Sequence, residues 1–348
     1  MKLLITGHQG YLGRVMARFL QQRGHSVVGL DTGFYEDCRF GPVVAPPKSI
    51  TGDTRDVSLR QLRGFDALVH LAALSNDPIG ELDPAWTDQV NHKASVSLAQ
   101  LARDAGIKRF LFSSSCSMYG TATKDGPITE TAPLNPLTQY ATSKVRAEEA
   151  LAALADSDFS PVFLRNSTAY GVSPALRADL VLNNLVGWAY TTGKIKILSD
   201  GSPWRPLVHV EDIARAFAAV LEAPRKLVHN QAFNVGVNSE NYQVRDLAQI
   251  VAETVPGCSI EYAGKADPDN RTYIVDFSKL ATTLPTFQPK WNARTGAAEL
   301  YQAYHIAQLQ FDDFQGRKYV RIKQLKHLLD EGRLDSSLRW APSRAAAA

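Results

Sequence analysis

Residues 2–33 read KLLITGHQGYLGRVMARFLQQRGHSVVGLDTG, and this stretch decides the fold. Lys2–Thr6 is short and mostly apolar, as a strand is. From Tyr11 to Arg23 apolar residues return at helical spacing (Leu12, Val15, Met16, Phe19, Leu20), Gly24 ends that helix, and Val27–Leu30 is strand-like again. Gly7, Gly10 and Gly13 sit between the first strand and the helix. There the chain must turn tightly, let a diphosphate approach the backbone and pack helix on strand, and the helix N-terminus offers N–H donors to the phosphate. Asp31 ends the second strand. An acid there can bind both ribose hydroxyls and repels a 2′-phosphate, so the expected cofactor is NAD and not NADP.

The same alternation continues outward. Ala67–Leu71, Phe110–Ser113 and Val162–Leu164 read as strands, with helices over Val90–Ala105 and Gln139–Leu154 between them. Nearly continuous apolar strands separated by helices imply a parallel sheet buried on both faces, a Rossmann-type doubly wound α/β fold. From Gly171 the rhythm changes. Leu207–Val210 and Ala232–Val235 read as strands, Ile213–Leu221, Val244–Val255 and the charged run Asp312–Leu329 as helices. The expected organisation is an NAD-binding domain over residues 1–170 that includes the Tyr-Lys pair. A smaller mixed α/β substrate lobe, interleaved with it, covers 171–340, and 341–348 is a terminal appendage.

The 348 residues are 45% hydrophobic and 21% charged, with a formal net charge of +3, a balance too even to suggest nucleic acid as a partner. Cys38, Cys116 and Cys258 are an odd, scattered set without a CxxC pair, which argues against a disulfide framework or a metal site and suits the cytoplasm. No apolar run is long enough to span a membrane, and the N-terminus carries no signal-peptide pattern.

Tyr140 and Lys144 stand four apart, on one face of a helix. A phenol ionises near ~10, too high for a base at neutral pH. An ammonium one turn away favours the phenolate, and the same group can later return the proton. Upstream, Phe112 leads into the hydroxyl-rich SSSCSMYG (113–120), where a strand reaches the ligand-binding edge of such a sheet. Asp53, in the polar turn GDTRD, reads alone as a turn or cap residue, and His70 as a structural strand-end residue.

Over about residues 1–285 the chain resembles the extended short-chain dehydrogenase/reductases that act on nucleotide-linked sugars. The motifs that carry this are TGHQGYLG (6–13), Asp31, GDTRD (52–56), HLAA (70–73), Asn91, SSSCSMYG, YATSK (140–144), LRNSTAYG (164–171) and RPLVHVEDIARA (205–216). The resemblance implies NAD contacts from Gly7, Gly10, Tyr11, Leu12, Gly13, Asp31, Asp53, Thr54, Leu71, Ala72, Ala73, Asn91, Ser113, Tyr140 and Lys144. It casts Tyr140 as acid/base, Lys144 as the group that holds the ribose and lowers the Tyr pKa, and Ser115 as the hydrogen-bond partner of the reacting hydroxyl or ketone. Arg205 and Arg271 stand where such enzymes hold the nucleotide diphosphate, Asn184 at the nucleotide and sugar end, and Thr168 where epimerases often carry Asn. Ser75, Cys116 and Ser117 belong to the sugar side as expected substrate contacts, whereas Asn76 and Asp77 either touch the sugar or cap the next helix.

Cys116 and Ser117 follow Ser115 where the 4,6-dehydratase branch carries the acid that expels water, and neither is an acid at pH 7. The expected activity is therefore NAD-dependent epimerisation of a nucleotide-diphosphate sugar at C4. A ketoreductase or dehydrogenase of such a sugar is the rival enzyme, and a non-catalytic NAD-binding regulator the rival of a different class. The family pattern also implies a homodimer, paired through the helices that carry Asn91 and Tyr140.

Overall fold

A computed structural model describes residues 1–42, 45–75, 77–121, 126–262 and 272–342. Its strands, in chain order, are Lys2–Thr6 (β1), Ser26–Asp31 (β2), Lys48–Thr51 (β3), Ala67–His70 (β4), Arg109–Ser115 (β5) and Ser160–Asn166 (β6). Thr168–Tyr170 (β7), Lys194–Ile197 (β8), Trp204–His209 (β9), Ala232–Val235 (β10), Asn241–Gln243 (β11) and Ser259–Tyr262 (β12) complete the set.

Seven strands form one parallel sheet in the order β10-β6-β5-β4-β1-β2-β3. The order reverses between β1, which pairs with β2 on one side, and β4 on its other side. At such a switch point the two following loops diverge and leave a crevice at the carboxyl edge. Leu3, Ile5, Val69, Leu111 and Val162 pack under the helices Tyr11–Gln22 and Val210–Glu222 on one face. Leu4, Leu68, Phe110 and Phe112 meet Leu98, Ala102, Ala147 and Leu151 on the other. Both faces of the sheet are thus covered, which explains the continuous apolar strands.

The boundary at residue 170 is not a cut through space. The helix Val210–Glu222 and strand β10 come from the second half yet belong to the large sheet layer. β7 lies before the boundary but pairs with β9, in a three-stranded sheet with β11. The second lobe has its own core, where Leu182, Leu185 and Val186 meet Leu247, Leu300 and Phe314. The helix expected over 312–329 is two helices, Phe311–Gln315 and Arg321–Asp330. Gly316 ends the first with an extended backbone, at a place where a Cβ would stand 2.6 Å from the Asp312 carbonyl oxygen. The second helix brings Leu325 and Leu328 back onto Phe34, Leu74 and Ile79 of the first half. Among the described residues no helix is long and apolar enough to cross a membrane.

Candidate active site

A cleft of about 520 Å³ opens along the switch point. Its floor begins at the glycine loop. Gly7 has φ +72°, and a Cβ on it would stand 2.7 Å from the Ala72 nitrogen; one on Gly13 would stand 2.1 Å from the Gly7 carbonyl. Side chains here would fill the space through which a diphosphate reaches the backbone. Gly10 precedes the helix Tyr11–Gln22 and caps it with no side chain, which leaves the helix N-terminus to a ligand. Leu12, Leu71, Ala72, Ala73 and Thr54 also line the cleft. The Tyr11 phenol is committed elsewhere: it donates to the Gly171 carbonyl at 2.8 Å and locks the loop to the second lobe. Burial pushes its pKa up.

Asp31 lines the cleft at the end of β2, held by the Gln9 and Gly33 amides, each at 2.9 Å. Each carboxylate oxygen accepts one backbone hydrogen bond, so lone pairs remain for ribose hydroxyls. Asp53 caps its own short helix and grips the Arg55 guanidinium, with Nη2 to Oδ2 at 2.6 Å. Burial alone would raise its carboxyl, but the Arg55 contacts outweigh that and hold it below the ordinary value. This glycine cradle and the paired acid at its end fit a dinucleotide. Trp340 and Leu338 come from the far end of the chain to the same region. Leu338 lines the cleft, and Arg55 donates to the Ser337 and Leu338 carbonyls at 2.6 and 2.8 Å.

The chemical end lies where β5 and the helix Gln139–Ala152 meet. Ser113, Ser115, Ser117, Tyr140 and Lys144 all line the cleft. The Lys144 ammonium is buried, donates to the Ser113 carbonyl at 2.7 Å and stands 5.7 Å from the Tyr140 ring centroid. Burial lowers its pKa to about 8, against the pull of Glu148 one turn further on. Glu148 is itself held in a buried ion pair with Arg165 at 2.7 Å. Ser115 Oγ donates to Ser117 Oγ at 2.9 Å, a short hydroxyl relay at the end of β5. Thr138 caps the helix and donates to Asp77 Oδ1 at 2.7 Å, so Asp77 fixes the start of the helix that carries Tyr140.

Three expected ligand contacts are corrected. Cys116 does not reach the cleft. After Ser115 the chain turns into the short helix Cys116–Tyr119, which carries the thiol into a closed apolar cluster beside the Arg165 carbonyl. Burial pushes that thiol up to about 12. Asn91 does not line the cleft either. One π turn, Asp88–Lys93, precedes the helix expected from Val90 and aims its amide at Leu74. Asn91 accepts from the Leu74 amide at 2.8 Å and donates to its carbonyl at 3.0 Å, so it shapes the loop after β4. Asn184 does not line the cleft, and its amide donates to the Ala178 carbonyl at 2.8 Å. Asn76 and Arg271 lie outside the described residues. His70 has the structural place expected of it, buried between Thr6 and Ser95, its pKa lowered by burial to about 3.

The second lobe contributes Thr168 and Arg205 to the cleft, with Ser75 opposite. Two further residues, one from a loop of the second half and one from the large sheet, were passed over by the sequence reading. Arg177 is buried, forks onto Asp179 at 3.0 and 2.6 Å, and reaches Ser75 Oγ at 3.3 Å. Asn166, at the end of β6, donates to Ser113 Oγ at 3.0 Å. The only signal for Arg177 was an arginine in an apolar stretch, which says nothing of direction. Among the described residues no three His, Cys, Asp or Glu side chains group closely enough to hold a metal.

These features describe a cleft that fits a dinucleotide, with Ser115, Tyr140 and Lys144 gathered at one end. The family model for the NAD dependent epimerase/dehydratase family matches residues 3–236, and the chain belongs to that family. A UDP-glucose 4-epimerase of Lactobacillus helveticus is 30% identical over 82% of this chain and 91% of its own. A UDP-glucuronate 4-epimerase of Thermodesulfobacterium geofontis is 26% identical, covering 84% and 93%. Among solved structures, MoeE5 in complex with UDP-glucuronic acid and NAD superposes with a TM-score of 0.76 at 26% identity, over 88% of this chain and 99% of that one. The protein is an NAD-dependent enzyme of the extended short-chain dehydrogenase/reductase type.

Proposed function

We propose that the protein epimerises a UDP-linked hexose or hexuronate at C4. The observation that carries this is the buried Lys144 beside Tyr140, in one cleft with Ser115 and the glycine cradle. NAD held by the glycine cradle and Asp31 would supply a reversible hydride acceptor for the sugar carbon, so that epimerisation would need no net reductant. Tyr140 takes the proton of the C4 hydroxyl and later gives it back. Lys144 favours the phenolate through its charge and binds a ribose hydroxyl, while its hydrogen bond to the Ser113 carbonyl keeps it in place. Ser115, already polarised toward Ser117, turns its hydroxyl to the sugar oxygen. Thr168, Arg205 and Ser75 line the sugar-nucleotide half. With Cys116 sealed away and Ser117 a hydroxyl, neither of the two residues that follow Ser115 is an acid for a dehydration.

The test is incubation with UDP-glucose and with UDP-glucuronate, followed by NMR of the sugar. The 4-epimer should accumulate without net NADH. One NADH per product would replace the reading by a dehydrogenase, and no conversion of either compound would remove it. We further infer a cytoplasmic homodimer. The three cysteines are free thiols, and the helices Ala94–Asp104 and Gln139–Ala152 lie together on one side of the sheet, as a paired two-fold interface needs. A monomer in light scattering at micromolar concentration ends the dimer.

A further inference from the structure

We propose that Arg321, on the C-terminal helix Arg321–Asp330, is a phosphate-binding residue of the cleft and takes an anionic oxygen of the cofactor's diphosphate. The starting observation is an incomplete set of partners. Arg321 lines the cleft yet is only 4% exposed. One terminal nitrogen, Nη2, donates to the Ala175 carbonyl at 2.9 Å. The guanidinium lies 4.3 Å from the Tyr35 ring centroid, which fixes its plane. Its other terminal nitrogen, Nη1, is buried with no hydrogen-bond partner among the described residues.

Nor does a carboxylate compensate the charge. Asp179, the carboxylate that acts on Arg321 among the described residues, is forked onto Arg177, whose guanidinium adds a second positive charge to this corner. Burial first, and the Arg177 charge after it, push the Arg321 pKa down. A buried cation with an open donor is costly unless an anion completes it. A planar fork suits a phosphate oxygen. The position points to the cofactor. Ser173 joins the Arg321 partner to the glycine loop, its hydroxyl donating to the Tyr11 carbonyl at 2.8 Å and accepting from the Ala175 amide at 3.2 Å. The helix lies beyond residue 236, where the family match ends.

This inference rests on the NAD reading of the cleft, and its test keeps the two apart. NAD, UDP and adenosine are titrated calorimetrically into full-length wild type and Arg321→Gln, and melting is followed without and with NAD. The variant should bind NAD about 10-fold more weakly, since a charge-assisted hydrogen bond is lost, and adenosine as before. Its ligand-free Tm should not fall, because an unpaired charge has been removed, while the rise in Tm on adding NAD should shrink. A merely structural arginine gives the reverse, a lower ligand-free Tm and an undiminished rise. A loss confined to UDP assigns Arg321 to the sugar nucleotide's diphosphate and overturns the cofactor assignment. Unchanged affinity for both overturns the inference and leaves the NAD reading intact, whereas a wild type that binds no NAD removes that reading first. If Arg321→Gln does not fold, Arg321→Lys keeps the charge without the fork and should show the same ranking of ligands with a smaller loss.

Discussion

The two walls of the cleft are built in opposite ways. One wall is local: Gly7, Gly10, Gly13 and Asp31 fall within a single strand–helix–strand unit, and backbone geometry alone sets where they stand. The other is assembled from afar. Arg177, Arg205, Arg321 and Leu338 arrive from four separate elements or loops and meet only because the second lobe and the C-terminal helix pack back onto the sheet. The local wall is fixed by the geometry of the sheet, while the assembled wall can vary without disturbing the sheet.

The sharpest way to break this comparison is at the junction of the walls, where Tyr140 stands. Tyr140→Phe should lower turnover by about 10²–10⁴-fold, the usual share of a positioned proton-transfer group. NAD affinity, set by the local wall, should stay within about twofold. Single-turnover kinetics on the epimerised sugar nucleotide and NAD titration read the two quantities. A variant with near wild-type turnover removes Tyr140 from the chemistry.

Within the local wall, Asp31 carries cofactor choice. Wild type should prefer NAD over NADP by about 10-fold or more, one unfavourable carboxylate–phosphate contact being worth roughly 1.4 kcal/mol. Asp31→Asn removes the charge and keeps acceptors for Gln9 and Gly33. It should bring the two dissociation constants within about threefold. An unchanged preference would mean that the assembled wall selects the cofactor.

Legibility in the sequence follows the same division. Five strands of the parallel sheet, the glycine loop, Asp31 and the Tyr140–Lys144 pair were readable because each depends on spacing within about one helical turn or one strand–helix unit, whereas the polar edge strand Lys48–Thr51 was missed and Ala232–Val235 was assigned to the second lobe. Asn91, Cys116 and Asn184 were misplaced because a side chain's direction depends on features without a strong local signal. These are a π turn for Asn91, a strand breaking into a short helix for Cys116, and a loop carbonyl within reach for Asn184. Arg177 and Arg321 had no spacing to betray them, since what aims them at the cleft is contact across more than one hundred residues of chain.

The assembled wall is held to the local one by Arg55, which binds Asp53 and the carbonyls of Ser337 and Leu338 together. Trp340 adds a hydrogen bond to the Thr32 carbonyl at 2.6 Å. Arg55→Ala should loosen this end first. Amide exchange at residues 333–341 should speed up, and NAD should dissociate about 3-fold faster with little change in turnover. Unchanged exchange there would show that the apolar packing of Leu328, Leu334 and Leu338 suffices to hold the segment.

The smallest effect concerns Lys144, and its sign is informative. Burial lowers its folded-state pKa to about 8 from the ordinary 10.5. Below about pH 8 the folded chain carries a buried ammonium whose desolvation opposes folding. As pH rises between the two values the unfolded chain binds more protons than the folded one, so this contribution to stability increases with pH. Lys144→Met lacks the group and cannot gain in this way. Because Tyr140 is itself ionisable and stands beside Lys144, both proteins should carry Tyr140→Phe, and both should be free of cofactor. The Tm of the lysine protein should then rise by about 2 °C relative to the methionine protein between pH 7.5 and about pH 10. Calorimetry in a constant-ionic-strength buffer series reads the difference. A flat difference would place Lys144 in a polar, hydrated setting. The hydrogen bond to Ser113 and the 4.7 Å approach to the Phe112 ring would then not describe the lysine that faces the cofactor.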